Sequence, residues 1–328
     1  MALNTSAAPH LRTKDSTRKV MIDVLIALMP AVIVSSVVYG LKALIVMLSC
    51  MVGAELFELF IMKVLRNKKN FRPDFSAAVT GLLLGMNVSI AVQWWQILIG
   101  VIFAIGVGKH VFGGLGQNMF NPALVGRVFM IISFPTAMTT WLKPGVTDLV
   151  TTATPLAIAK ESYGTAVNFS QLMANNNINY MDLFLGKISG SMGEISAAAL
   201  LIGFIYLVVR GRIKINIPVF YVGTVVIFSS IMYFINNSYG TPLFHVLTGG
   251  LIIGALFMAT DMVTSPMTFK GQMIYGIGLG VITMVIRYIG SYPEGVSFAI
   301  LIMNAFVPLI DIWAKPKIYG TVKKEAKI

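Results

Sequence analysis

The chain has 328 residues, 56% hydrophobic and 12% charged, with mean hydropathy +0.81 and a formal net charge of +12. These proportions exclude a soluble domain, because apolar runs of about 20 residues recur along nearly the whole length, each able to cross roughly 30 Å of hydrocarbon. The positive charge lies in clusters between those runs, a topology signal rather than a nucleic-acid footprint, and with Cys50 as the single cysteine the chain alone holds no disulfide and no iron–sulfur cluster.

Continuous apolar runs without period-two alternation select helices over barrel strands, since backbone polar groups in hydrocarbon must pair within their own segment. Residues 1–20 read as a basic cytoplasmic tail (Arg12, Lys14, Arg18, Lys19) without a small-residue cleavage site. Spans are expected over 21–40, 43–63, 76–92, 95–112 and 119–135, forming a first membrane half, 21–135. A long polar loop, 136–190, follows; such lengths are usually functional or disordered. The second half, 191–313, has spans over 191–209, 218–236, 243–259, 271–289 and 295–313, and residues 314–328 form another basic tail. The expected fold class is all-α integral membrane, with about ten transmembrane helices as two inverted five-helix repeats and one long extracytoplasmic loop.

Charge sets the orientation. Lys63, Arg66, Lys68, Lys69, Arg72, Arg210, Arg212 and Lys214 fall on the side of the two tails, whereas the opposite loops carry only Lys42, Lys143, Lys160 and Lys187. Both termini are therefore expected in the cytoplasm. The halves echo each other at their third spans, Val79-Thr80-Gly81-Leu82-Leu83-Leu84-Gly85 against Leu247-Thr248-Gly249-Gly250-Leu251-Ile252-Ile253-Gly254. Polar interruptions follow each, Asn87-Val88-Ser89 and Thr260-Asp261 through Pro266. Two readings stand: broken helices that meet near a pseudo-twofold axis, or ordinary small-residue helix packing.

Ionisable residues in spans are functional candidates. Glu55 is read as the deepest, and Glu58, three residues on, shares its helical face. They suit a cation path or a structural pair with Arg127. Asp23 and Asp261 join the candidate ion path, although Asp23 and Asp311 lie near inside ends where water or basic loops are in reach. Arg127 is expected to hold a ligand or a neighbouring carboxylate. Asn118 and Asn121, before Pro122, read as a helix start first and as an anion-facing site second. Lys109-His110 reads as interfacial snorkelling. No metal-ligand spacing, nucleophile elbow or phosphate-binding Gly-Lys-Ser/Thr run is present, so metal, hydrolase and nucleotide readings have no support.

In the long loop, Thr154 before Pro155-Leu156-Ala157 is a good helix cap. The same stretch, Asp148-Leu149-Val150-Thr151-Thr152-Ala153-Thr154, is similar to the Asp-x-x-Ser/Thr-x-Ala-Thr signature that flavin transferases recognise when they join FMN phosphate to a threonine oxygen. Other motifs follow in order: Ala8-Pro9-His10-Leu11-Arg12, Gly113-Gly114-Leu115-Gly116-Gln117-Asn118-Met119-Phe120-Asn121-Pro122-Ala123, Phe257-Met258-Ala259-Thr260-Asp261 with Val263-Thr264-Ser265-Pro266, and Tyr292-Pro293-Glu294-Gly295. Together they resemble the D subunit of the Rnf-type ferredoxin:NAD oxidoreductase, whose sister is the B subunit of the sodium-pumping NADH:quinone oxidoreductase. The departure is Thr152, where the family's signature often has Gly.

That resemblance implies FMN on Thr154, with Asp148, Thr151 and Ala153 read by the transferase, and Arg127, Asn118 and Asn121 as candidate contacts to flavin. It also allows a non-covalent riboflavin. It further implies a multi-pass protein of a bacterial or archaeal cytoplasmic membrane, carrying electrons from reduced ferredoxin toward NAD in a Na⁺- or H⁺-pumping complex. Partners would be the other membrane and peripheral subunits, including a second flavin-bearing one. The quinone-reducing sister ranks second, since its equivalent subunit is expected to be longer before the first span. A non-redox channel or transporter of inverted-repeat fold ranks third.

Overall fold

A computed structural model describes residues 15–142, 151–164, 168–186 and 189–316 of the chain. Asp148 and most of both tails lie outside the described residues. The first half opens with α1 (Thr17–Tyr39), whose Ser16 cap accepts from the Lys19 N–H. Gly40, at φ +76°, turns the chain into α2 (Leu41–Phe60), which runs on as a π-helix over Ile61–Leu65. Then come α3 (Ser76–Met86), α4 (Trp94–Ile102) with a π-helical continuation over Phe103–His110, and α5 (Pro122–Ser133).

Between the halves lie α6 (Pro135–Thr139), the two-residue strands β1 (Trp141–Leu142) and β2 (Thr151–Thr152), α7 (Pro155–Glu161), α8 (Phe169–Asn175) and α9 (Tyr180–Leu185). The strands pair antiparallel, Trp141 opposite Thr152 and Leu142 opposite Thr151, a small departure from the expected all-α class. The segment read as an open polar loop carries its own core: Leu156, Ala159, Phe169, Met173 and Leu183 bury against Phe244. Widely spaced apolar residues among Asn and Thr concealed that layer from a periodicity reading.

The second half contains α10 (Ala197–Val209), α11 (Asn216–Ile235), α12 (Pro242–Leu247), α13 (Leu251–Ile253) prolonged as a π-helix over Gly254–Met258, α14 (Phe269–Ile289) and α15 (Val296–Trp313). Among the described residues, five helices are long and apolar enough to cross a membrane: Thr17–Tyr39, Leu41–Leu65, Asn216–Ile235, Phe269–Ile289 and Val296–Trp313. A sixth is reached if the pair Asn237–Leu247 and Leu251–Met258, bent by 49°, counts as one. The other expected spans coincide with shorter apolar helices, Ser76–Met86, Trp94–His110, Pro122–Ser133 and Ala197–Val209.

The shortening has local causes. Asn87 Nδ2 donates to the Leu83 carbonyl at 2.7 Å, closing α3 with a side chain that competes for its last turn. Gly249 and Gly250, at φ +70° and +64°, break the chain between α12 and α13.

Small residues let the halves meet. A Cβ on Gly203 of α10 would lie 1.9 Å from the Ala27 carbonyl oxygen of α1, so only glycine permits this approach. Gly203→Ala should therefore cost about 1–3 kcal/mol of overpacking strain, read as a lower thermal unfolding midpoint. Gly223→Ala is the control: nothing lies within 4 Å of its added methyl, so it should be neutral or mildly stabilising. Equal melting of the two variants would contradict this packing.

Candidate functional site

Between the halves lies a buried polar centre organised by Arg127, on the first turns of α5. Asn121 caps that helix, its Oδ1 accepting from Ala123 and Leu124, and its Nδ2 donates across to the Met258 carbonyl at 3.1 Å. From the other direction, the Gly193 N–H donates to the Met86 carbonyl at 2.5 Å. The carboxyl ends of α3 and of the α13 segment thus each receive a donor from the opposite half. Asn87 Nδ2 also stands 3.9 Å from Met258 Sδ.

Arg127, 3% exposed, donates from Nη1 to Asn87 Oδ1 at 2.9 Å and Ser297 Oγ at 2.8 Å, and from Nη2 to Glu294 Oε2. A second buried carboxylate, Glu194, places Oε1 3.8 Å from Nη2. The guanidinium fork satisfies groups from both halves, which a point-charge ammonium cannot do. The same device recurs at α14, where the fully buried Arg287 donates to the carbonyls of His245, Thr248 and Gly249, the backbone groups freed by the break.

A second cluster sits at the opposite end of the first half. Glu58 is buried, and its Oε1 lies 2.5 Å from Lys109 Nζ and 3.2 Å from His110 Nε2. Lys109 also donates to Ser76 Oγ at 2.6 Å. Snorkelling is thereby corrected: Lys109 and His110 are 1% and 7% exposed, turned inward because Glu58 supplies a countercharge. Glu58, rather than the partly buried Glu55, is the buried acid, and neither pairs with Arg127. Glu55 Oε2 instead accepts the Ala78 N–H at 3.1 Å, while Asp74 Oδ1 accepts the Ser76 N–H at 2.9 Å. Two carboxylates thus face the amino end of α3, the favourable end for negative charge.

A cavity of about 100 Å³ opens between these clusters and is lined by both halves. Lys109, Asn118 and Asn121 face it from one side, Arg212, Thr260 and Asp261 from the other. Asn118 Oδ1 is buried without a hydrogen-bond partner, a ready acceptor toward a ligand. Asp261 Oδ2 accepts from Thr264 Oγ1 at 3.0 Å. Asp23 belongs to a clamp on the cavity wall: Tyr206 Oη, Arg210 Nη2 and Arg212 Nε donate to it at 3.1, 3.2 and 2.7 Å. Arg212 also holds Asp15, and its hydrogen bond keeps that carboxyl below the usual range.

Thr154 is the N-cap of α7, with Oγ1 accepting the Ala157 N–H at 3.2 Å. It is 5% exposed, whereas Ala153 beside it is exposed. The backbone of Thr151 lies in β2, and Thr152 Oγ1 is 2.5 Å from Ser189 Oγ. Lys160 of α7 donates to the carbonyls of Gly290 and Tyr292, tying the helix to the end of α14, and burial pulls its ammonium below the usual lysine range.

A family model described as the NQR2, RnfD, RnfE family matches residues 4–320. The chain belongs to that family. It is 44% identical to the D subunit of the Na⁺-translocating ferredoxin:NAD⁺ oxidoreductase complex of Acetobacterium woodii, over 99% of this chain and 98% of the relative. It is 43% identical to the D subunit of the proton-translocating ferredoxin:NAD⁺ oxidoreductase complex of Clostridium ljungdahlii, over 96% of both. The D subunit of the ion-translocating oxidoreductase complex of Erwinia tasmaniensis is 33% identical over 98% of this chain and 99% of its own. Family membership and the apolar helices make this a multi-pass membrane protein, a subunit of an ion-translocating oxidoreductase complex.

Of the residues singled out in the sequence, Asn118, Asn121 and Asp261 meet at one cavity, and Arg127 stands in the neighbouring polar centre. Glu194, Glu294, Arg287 and Lys109 were missed as members of these sites. Glu194 and Glu294 lie just outside helix starts, where acids read as loop residues. Their signal was the small-residue run Ser189-Gly190-Ser191-Met192-Gly193 before Glu194 and the Tyr292-Pro293 before Glu294.

Proposed function

We propose that the chain is the electron-carrying membrane subunit of a ferredoxin:NAD oxidoreductase complex that pumps Na⁺ or H⁺, with FMN joined through its phosphate to Thr154. The observation that carries this reading is the flavin-transferase signature ending at Thr154, in a chain 44% and 43% identical over nearly its whole length to two such D subunits. Those relatives are named for different ions, so overall similarity does not select the ion moved here.

The residues fit the group. Thr154 offers a hydroxyl oxygen at a helix start, next to an exposed alanine, and an ester oxygen still accepts the Ala157 N–H. FMN held in this way supplies one- and two-electron chemistry through a ring untouched by the linkage. Thr154 then anchors, Lys160 fixes α7 against α14, and Asp148, Thr151 and Ala153 are read by the maturing transferase. A second, non-covalent flavin such as riboflavin stays part of the reading, but the cavity of about 100 Å³ that Asn118, Asn121 and Lys109 share with Asp261 is too small to hold its ring system.

The architecture supports two inverted five-helix halves making about ten membrane segments, some of them half-helices whose carboxyl ends meet at Asn87 and Met258. Both termini face the cytoplasm of a bacterial or archaeal cell, and the segment bearing Thr154 stands outside its inner membrane. Partners are the other membrane and peripheral subunits, a second flavin-bearing one among them.

Glu55, Glu58, Asp23 and Asp261 remain the proposed ion-path residues. Glu55→Gln keeps an acceptor for the Ala78 N–H but removes the charge, so ion transport by the complex should fall while Thr154 is still flavinylated. Unchanged transport would reduce Glu55 to a cap of α3. The reading as a whole is tested by producing the chain with a flavin transferase and viewing a denaturing gel under ultraviolet light; a fluorescent band at its mass is expected, and a dark one sinks the reading.

A further inference from the structure

We propose that Glu194 is a proton-binding carboxyl between the two halves, sharing the single Arg127 guanidinium with Glu294 and exchanging its proton with water. The inference does not depend on the flavin. Glu194 and Arg127 side chains are 6% and 3% exposed, and Glu294 is 15% exposed. The Nη donors of Arg127 are engaged by Asn87, Ser297 and Glu294, while its Nε is buried without a partner and makes no bond to Glu194. Glu194 Oε1 stands 3.8 Å from Nη2, beyond hydrogen-bond reach, and has no hydrogen-bond partner, while the carboxyl as a whole lies beside Ser191 and Glu294.

A buried carboxylate and a partly buried one therefore face one cation. With both ionised, the centre would hold an uncompensated negative charge out of contact with water, the state burial disfavours most. The other charged and titratable neighbours leave that imbalance in place. Arg287, across the Gly249–Gly250 turn, turns its Nη donors to the His245, Thr248 and Gly249 carbonyls. Tyr39 of α1 donates its hydroxyl to the Gly190 carbonyl. A proton on Glu194 removes the excess.

The surroundings choose a proton over a metal cation. A Cβ at Gly250 would lie 2.9 Å from Glu194 Oε1, so the backbone crowds the oxygen. Beside it is a void of about 10 Å³, lined by Glu194 itself, by the Gly250 backbone and by aliphatic residues of α10, α12 and α13. That is room for about one water molecule, enough to pass a proton. A Na⁺ ion with its several oxygen ligands needs more room than that void provides. The step is a simple one: Oε1–H gives its proton to that water as pH rises and takes it back as pH falls, with no change of oxidation state.

Infrared difference spectroscopy on the full-length chain in lipid nanodiscs tests this. The wild type should show a protonated-carboxyl C=O band at neutral pH that shifts in D₂O and disappears on alkaline titration. Glu194→Gln should lack it because the group is gone. Glu294→Gln should lack it too, because Arg127 then belongs to Glu194 alone and ionises it; should one variant fail to fold, the other reads the same link. Glu55→Gln should keep the band. A band that persists in either of the first two variants, or that NaCl but not choline chloride abolishes at fixed pH, overturns the assignment, the latter in favour of bound Na⁺.

Discussion

Arg127→Met should cost about 3–5 kcal/mol, the loss expected when one member of a buried ion pair is removed and its partner is left. Glu294 would lose its partner and Glu194 its nearest cation, while Asn87 Oδ1 and Ser297 Oγ would lose donors at 2.9 and 2.8 Å. The side chain links α5 to the start of α15 and to the end of α3, so the damage falls on the contact between the halves rather than within one of them. Arg127→Lys keeps the charge but not the fork, and should recover only part of the loss. Adding Glu294→Gln to Arg127→Met should restore stability, since one of the stranded carboxylates is then gone. Thermal unfolding of the purified chain in detergent checks all three. A double variant no more stable than Arg127→Met would show that packing, not charge, is what Arg127 provides.

Substitutions at Thr154 should separate its two roles. Thr154→Ala removes both the attachment oxygen and the cap on the Ala157 N–H, so covalent flavin should vanish and the cap should cost about 1 kcal/mol. Thr154→Asn restores a good cap but offers no hydroxyl. It should melt like the parent and still show no covalent flavin. Thr154→Ser keeps a hydroxyl and a cap, so any flavin that the transferase places on it stays in register with α7. In-gel fluorescence and melting curves together read the series. Covalent flavin on Thr154→Asn would move the attachment to another residue.

The apolar runs disclosed where helices lie because burial in lipid demands length and apolarity, and both are written in one dimension. They could not disclose where a helix stops short. α3 ends at Met86 through the Asn87 side chain, and the break before α13 needs two left-handed glycines; these are local hydrogen-bond and backbone effects inside otherwise continuous apolar sequence. The Thr154 cap was readable because Thr-Pro-Leu-Ala is local. The partners of Arg127 were not, since Glu294 and Ser297 lie in the other half, more than one hundred residues away. Lys109 misled for the same reason. A basic residue at a span end is ordinarily a snorkelling one, and its turn inward depends on Glu58 of another helix.

Mass spectrometry of the peptide containing Thr154, from chain produced together with an active flavin transferase, tests the central claim most directly. Lys143 precedes Pro144 and resists trypsin, so the fragment to seek runs from Val128 to Lys160. It should carry the mass of FMN less one water, with fragment ions placing it on Thr154. Recovery of the fragment unmodified, or with the flavin on another residue, would contradict the assignment.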